Sequence, residues 1–178
     1  NTDPTDLGRL DLGESEHVPF VLGGRPHRSL KGTLSLLALF AFTMLPVRGL
    51  YRGTGSSLEE GFMLVFPRLV QQGKVPNVDF LHLYGPGSLE VLAGWYWVFG
   101  YTLEAQRTFG LLQHLLIIFG LYTLTRAWGR IAAVGAGIVA ALLIMTPIGL
   151  SALAWHGAVG MALWAVVFAA RARTTAAR

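Results

Sequence analysis

Four long apolar runs divide the chain, and polar segments separate them. The runs extend from Gly32 to about Leu50, from about Leu103 to Thr125, from about Ile131 to Ile148 and from about Ala152 to Ala170. The first holds 19 residues. As a helix it would rise roughly 28 Å, about the thickness of the hydrocarbon core of a bilayer. Between Arg130 and Arg171 the chain runs through 40 residues without Asp, Glu, Lys or Arg. The pattern therefore predicts four transmembrane helices. Short links, Arg126 to Arg130 and Gly149 to Ser151, predict helical hairpins among the last three. In the third run Ala133, Gly137 and Ala141 recur at spacing four, a ridge of small residues that lets helices approach closely. A cleaved signal peptide is the competing reading of the first run. The long leader before it, and the lack of a small-x-small cleavage site after it, argue against that reading.

The segment from about Tyr51 to Thr102 has a pattern of its own. Leu58, Phe62, Val65, Phe66 and Leu69 share one face at helical spacing, which predicts a helix from about Leu58 to Gln72. Gly73 is a natural stop, and Pro67 should kink the helix or break it near Phe66. A second helix is expected from Ser88, as N-cap, to Phe99. It carries Trp95, Tyr96, Trp97 and Phe99, and Trp and Tyr favour the membrane–water interface. The expected fold is an all-α membrane protein with about four transmembrane helices and two amphipathic surface helices in a large external loop.

Composition supports this and narrows it. Of 178 residues, 53% are apolar and 13% charged, with mean hydropathy +0.51. An ordinary soluble domain carries about 25% charged residues. A water-soluble or disordered chain is excluded. The net charge of +4 does not point to nucleic acid, because the basic residues cluster at the ends of the apolar runs. Arg25, Arg28 and Lys31 precede the first run, Arg126 and Arg130 lie between the second and third, and Arg171 and Arg173 follow the fourth. The positive-inside rule places all three clusters in the cytoplasm and the segment 51–102 outside it. Arg48 and Arg52, at the outer end of the first span, go against the rule. They either meet an anionic partner or snorkel. The expected organisation is a cytoplasmic tail over 1–31, a first span over 32–50, an extracytoplasmic loop over 51–102, three spans over 103–171 and a cytoplasmic end over 172–178. A multi-pass protein of a bacterial inner membrane is the expected location. The chain starts without Met and ends soon after Thr174 and Thr175, so a fragment of a longer reading frame is expected. Absence of cysteine excludes disulfides, thiolate metal sites and cysteine nucleophiles.

Candidate chemistry concentrates in the external loop. Lys74, Asp79, His82 and Tyr84 are its polar residues after the first helix, and with Glu59 and Glu60 they could line a cavity above the membrane. The order of motifs resembles the start of a GT-C-fold membrane glycosyltransferase of the broad mannosyltransferase and aminoarabinose-transferase type. The matching residues are Glu59-Glu60-Gly61 just after the first span, then Gly73-Lys74-Val75-Pro76, Asp79-Phe80, Tyr84-Gly85-Pro86-Gly87, Phe99-Gly100 and Arg107. The likeness covers about Leu34 to Trp128. It departs from the family in having Glu-Glu where Asp-Glu is usual, and in showing four spans where such enzymes have roughly eight to thirteen.

The resemblance implies inverting transfer of a sugar from a polyprenyl-phosphate donor on the outer face. A carboxylate would deprotonate the acceptor hydroxyl as it attacks. The resemblance proposes Glu59 or Glu60 for that role, with Asp79 a further external carboxylate. Cations would hold the leaving lipid phosphate, and Arg52, Arg68, Lys74 and Arg107 are available. His82, Tyr84 and His156 are candidate substrate contacts. The implied partners are the bilayer and the lipid-linked donor. No Gly-rich phosphate loop follows a strand, so no nucleotide is expected. Histidine spacing shows no metal motif, although Glu59, Glu60 and Asp79 could hold a divalent ion.

Plainer roles compete for the same residues. Ser56-x-x-Glu59 and Ser57-x-x-Glu60 both read as capping boxes. Asp79 could bond its own turn, Lys74 could be a solvated loop residue, His82 a surface histidine, and Arg107 a snorkelling anchor. Gln113 and His114, inside a span, read best as interhelical hydrogen bonders. His156 either faces the external cavity or sits in an aromatic belt. Two other functions fit the same spans: a transporter or flippase subunit for lipid-linked sugars, and a non-enzymatic scaffold.

Overall fold

The computed structural model describes residues 30–53, 55 and 57–176. The predicted tail before residue 30 lies outside the described residues, as do Thr54 and Ser56. Seven α-helices follow in order: α1 (Leu30–Met44), α2 (Val47–Arg52), α3 (Ser57–Gln71), α4 (Gly87–Phe99), α5 (Leu103–Thr125), α6 (Arg130–Ile148) and α7 (Ala154–Ala176). No strand occurs among the described residues. Four stretches are long and apolar enough to cross a membrane: Leu30–Arg52, Leu103–Trp128, Arg130–Ile148 and Ala154–Arg173.

Pro46 divides the first of these. It has no N–H to donate, and its ring opposes the carbonyl four residues back. So α1 stops at Met44 and α2 begins one residue after the proline, whose own carbonyl accepts from Leu50 N at 2.9 Å.

Helix α5 is the centre of the bundle. It packs against α6 and α7, while α1 packs against α6 and reaches α5 through Phe40 on Phe119. Small residues set these distances. A side chain at Gly137 would lie 2.6 Å from a Leu39 methyl, so the ridge of α6 receives Leu39 of α1. Gly160 of α7 stands against Leu116 of α5, and Gly120 of α5 against Leu163 of α7. Near the other end of α1, Ser35 Oγ and Tyr122 OH are 2.7 Å apart, which ties α1 to α5. These contacts bring Lys31, Arg126, Arg130 and Arg171 to one end of the bundle. Helices α3 and α4 pack on each other and on the start of α5, at the opposite end.

Several expectations about the loop need correction. Pro67 does not break α3, which runs through it. The proline leaves the Met63 carbonyl without its helical donor, and Tyr96 OH of α4 supplies one at 3.0 Å. On the apolar stripe of this surface helix Leu58, Phe62 and Val65 are exposed and Phe66 and Leu69 half-buried, while Glu60, Met63 and Pro67 face inward. Helix α4 begins at Gly87 with Pro86 as its cap, and Ser88 Oγ donates back to Gly85 O at 3.2 Å instead of capping. The fourth long helix starts at Ala154. The residues before it, Leu150 to Leu153, form a fully buried link.

Candidate functional site

Glu60 and Arg107 form a buried, two-pronged ion pair. Arg107 Nε donates to Glu60 Oε1 at 2.7 Å and Nη2 donates to Oε2 at 2.8 Å. Nη1 donates to the carbonyls of Tyr51 at 2.7 Å and Leu50 at 3.3 Å. Those carbonyls belong to the last turn of α2, where no helical N–H follows to satisfy them. A cation also suits a helix C-terminus. Gly55 leaves room for the pair: any Cβ there would lie 2.5 Å from the Glu60 carboxyl carbon. Tyr51 OH donates to Thr108 Oγ1 at 2.7 Å, and Thr108 in turn donates to Glu104 O at 2.7 Å. The end of the first span, the start of α3 and the top of α5 thus meet in one polar knot.

Both oxygens of the Glu60 carboxylate turn to Arg107, because an arginine in the first two turns of a span needs an anion; the Ser56 and Ser57 side chains of the two expected capping boxes lie outside the described residues. Glu59, the next residue along, is half-buried and makes no hydrogen bond or ion pair among the described residues. Arg52 is exposed beside Tyr51. Arg68 is also exposed, with its guanidinium 5.3 Å from the centre of the Tyr101 ring. Burial pushes the Tyr101 hydroxyl pKa up, against the pull of Arg68.

Lys74, Asp79, His82 and Tyr84 form a second group past the far end of α3. Lys74 lies roughly 20 Å of helix from the glutamates, at ~1.5 Å per residue, while the chain folds back so that Phe80 and His82 pack on Phe66 in the middle of α3. Asp79 Oδ2 accepts from Val75 N at 2.7 Å, and Asn77, with φ of 64°, accepts at Oδ1 from His82 N at 3.0 Å. The loop is thus held by its own side chains. Asp79 makes the bond to its own turn, and Lys74 is exposed. His82 is buried, not superficial. Its ring lies edge-on to Phe66 at 5.6 Å and to Tyr84 at 5.7 Å. Burial holds its pKa below the usual imidazole value.

His156 faces neither an external cavity nor an aromatic belt. It is fully buried in the first turn of α7, with its ring 4.5 Å from His114 and 3.8 Å from Trp155, centre to centre. Gln113 and His114 do not make the expected interhelical hydrogen bonds: Gln113 Oε1 and both ring nitrogens of His114 have no partner. Among the described residues no group of three or more His, Cys, Asp or Glu is placed to hold a metal ion, so Glu59, Glu60 and Asp79 do not converge on one. A separate apolar cavity of about 550 Å³ opens beside Pro46, lined by Phe42, Thr43, Leu50, Ala141, Met145 and Thr146 among others.

The Glu60–Arg107 bond is the main feature that sequence reasoning missed. The signal was present: a charged residue inside a span requires a buried partner, and the two glutamates are among the few carboxylates of the segment before α5. Gln106, fully buried one residue earlier, carried no comparable signal. Comparison with family models, curated protein sequences and solved structures gives no match for this chain.

Proposed function

We propose that this chain is part of a membrane glycosyltransferase that moves a sugar from a polyprenyl-phosphate donor to an acceptor hydroxyl on the extracytoplasmic face. The observation that carries the reading is the division of labour between neighbouring glutamates. Glu60 is consumed by Arg107, and Glu59, at the start of α3, has no hydrogen bond or ion pair among the described residues. Glu59 is assigned as the general base. The acceptor oxygen attacks the anomeric carbon, the bond from that carbon to the phosphate oxygen breaks, and the acceptor proton passes to Glu59. Polyprenyl phosphate leaves with the electron pair. Arg52 and Arg68 are exposed cations able to meet its charge. Arg107, by contrast, acts as a positioning residue through Glu60.

The clustering of basic residues at the other end of the bundle supports an extracytoplasmic setting for α3 and α4. The exposed stripe of Leu58, Phe62 and Val65 suits a helix lying in the outer interface. The test uses the full-length protein in vesicles with radiolabelled polyprenyl-phosphate sugars. Glu59→Gln should lower kcat by about 10²-fold or more with folding intact. Unchanged kcat in Glu59→Gln would remove the assignment.

A further inference from the structure

The end of the bundle away from α3 and α4 collects cations, and the proposed transfer reaction uses none of them. Two contacts fix which cations meet. Ser35 Oγ of α1 and Tyr122 OH of α5 are 2.7 Å apart, and Tyr51 bonds Thr108 near the other end, so α5 runs opposite to the first span. One turn further toward the basic end stand Lys31 and Arg126, each four residues from its member of the Ser35–Tyr122 pair and on the same face. Leu39 of α1 meets Gly137 of α6, and Phe42 and Leu50 meet Ala141 and Met145 around one cavity, so α6 runs the same way as α1. Two turns down from the Leu39–Gly137 contact stand Lys31 on α1 and Arg130 on α6. Lys31, Arg126 and Arg130 therefore ring the junction of α1, α5 and α6, and all three are exposed.

No described carboxylate answers this charge. Among the described residues the carboxylates are Glu59, Glu60, Asp79, Glu90 and Glu104, on α3, α4, the loop between them and the first turn of α5, all at the opposite end. Like charges on neighbouring turns repel, so the cluster calls for an anion from outside the bundle. Arg126 is prepared for one. Its Nη1 donates to Tyr122 OH at 3.3 Å, and its guanidinium lies 5.8 Å from the centre of the Tyr122 ring. That contact holds the side chain in place, while the edge formed by Nε and Nη2 makes no bond among the described residues. Such an edge matches two oxygens of a phosphate.

The surface beside the cations selects the carrier of that phosphate. Leu30 and Leu34 of α1 and Ile131 of α6 are exposed next to Lys31 and Arg130. Cations above bare aliphatic surface suit an amphiphile, with phosphate on the cations and acyl chains along the helices. A free phosphate or an acidic peptide would leave the aliphatic surface uncovered. The acids of the N-terminal segment, Asp3, Asp6, Asp11, Glu14 and Glu16, are also separated from Lys31 in sequence by Arg25 and Arg28, which add to the positive charge. Three cations exceed the charge of one phosphate, and a headgroup with two phosphates balances them better. We propose that Lys31, Arg126 and Arg130 form a binding site for one phospholipid of the cardiolipin type, with two phosphates on one headgroup, in the leaflet at this end of the bundle. The site requires the four spans and is independent of the transfer reaction.

The test uses the whole protein in detergent, with bound lipids counted by native mass spectrometry. It is titrated with cardiolipin, or with phosphatidylglycerol at twice the concentration so that total phosphate is equal. The parent protein should retain one cardiolipin and hold it more tightly than phosphatidylglycerol, a result that needs no variant to fold. A cation near an anionic headgroup is worth about a 5-fold change in affinity. Arg126→Gln and Arg130→Gln should therefore each weaken cardiolipin binding about 5-fold, and the two together about 25-fold. Arg48→Gln, at the other end of the bundle, should leave it unchanged. No retained cardiolipin, equal retention of the two lipids, unchanged affinity in the double variant, or an equal loss in Arg48→Gln would each overturn the proposal. So would cardiolipin binding that appears only when Asp3→Asn, Asp6→Asn, Asp11→Asn, Glu14→Gln and Glu16→Gln are combined, which would assign the cations to the N-terminal segment.

Discussion

Replacing Arg107 with Met and Glu60 with Gln, singly and together, tests the reasoning about the buried ion pair. Both residues are nearly inaccessible, with side chains 5% and 8% exposed, and both carboxylate oxygens are used. Removing one partner of such a pair strands the other as a buried charge, at a cost of ~3–5 kcal/mol. Arg107→Met also strips a charged donor from the carbonyls of Leu50 and Tyr51, adding about 1–3 kcal/mol. Arg107→Met should therefore be the worse single change. The double variant no longer leaves an isolated charge, so it should be milder than the sum of the singles. A coupling of about 3 kcal/mol is expected from the penalty it avoids. Unfolding of the full chain in mixed micelles, followed by tryptophan fluorescence against added denaturing detergent, measures all three. Additivity to within about 0.5 kcal/mol would refute the argument, because it would mean the charges do not depend on each other.

Four further outcomes follow from single positions. Tyr96→Phe should destabilise by about 1–3 kcal/mol, because the Met63 carbonyl opposite Pro67 loses its donor; the same unfolding assay reads it. Gly110→Ala should be among the most damaging small changes, at about 3 kcal/mol or more, since its Cβ would fall 2.0 Å from the Leu150 carbonyl oxygen. Gly135→Ala, with nothing within 4 Å, should be neutral or gain up to about 1 kcal/mol. His82 has a folded pKa below its unfolded value of 6.5 because it is buried, so the unfolded chain binds more protons as the pH falls through that value. Stability should decline as pH drops below about 6.5 and level off below the folded pKa. His82→Phe should flatten that part of the pH–stability curve.

The spans were legible because each is a run of apolar residues of bilayer length, and hydropathy alone reports that. The join at Pro46 was not read, because one proline near the end of a run leaves its apolar character unchanged. The periodicity of α3 identified the helix and its amphipathic stripe, but not the residues that tie it to the bundle. Burial follows Glu60, Met63 and Pro67, because a buried arginine on α5 recruits the glutamate and Tyr96 rescues the carbonyl that the proline frees. Neither partner is near α3 in sequence, so no local pattern could show it. The same holds for His114 and His156. They are 42 positions apart and meet only because α5 and α7 run side by side in the same direction. Asp79 was legible as a turn residue from its place between Pro76-Asn77 and Phe80, and the structure gives it that bond.

A transferase that uses a polyprenyl-phosphate donor on the outer face must expose the α3–α4 loop there. The chain has no cysteine, so Val78→Cys, at a side chain 80% exposed, introduces a single reporter without removing a hydrogen bond. Intact cells are treated with a membrane-impermeant maleimide, and lysed cells serve as the control for exposure. Labelling of intact cells to the level of the lysate is the predicted result. Labelling only after lysis would put the loop in the cytoplasm and contradict both the orientation and the proposed transfer reaction.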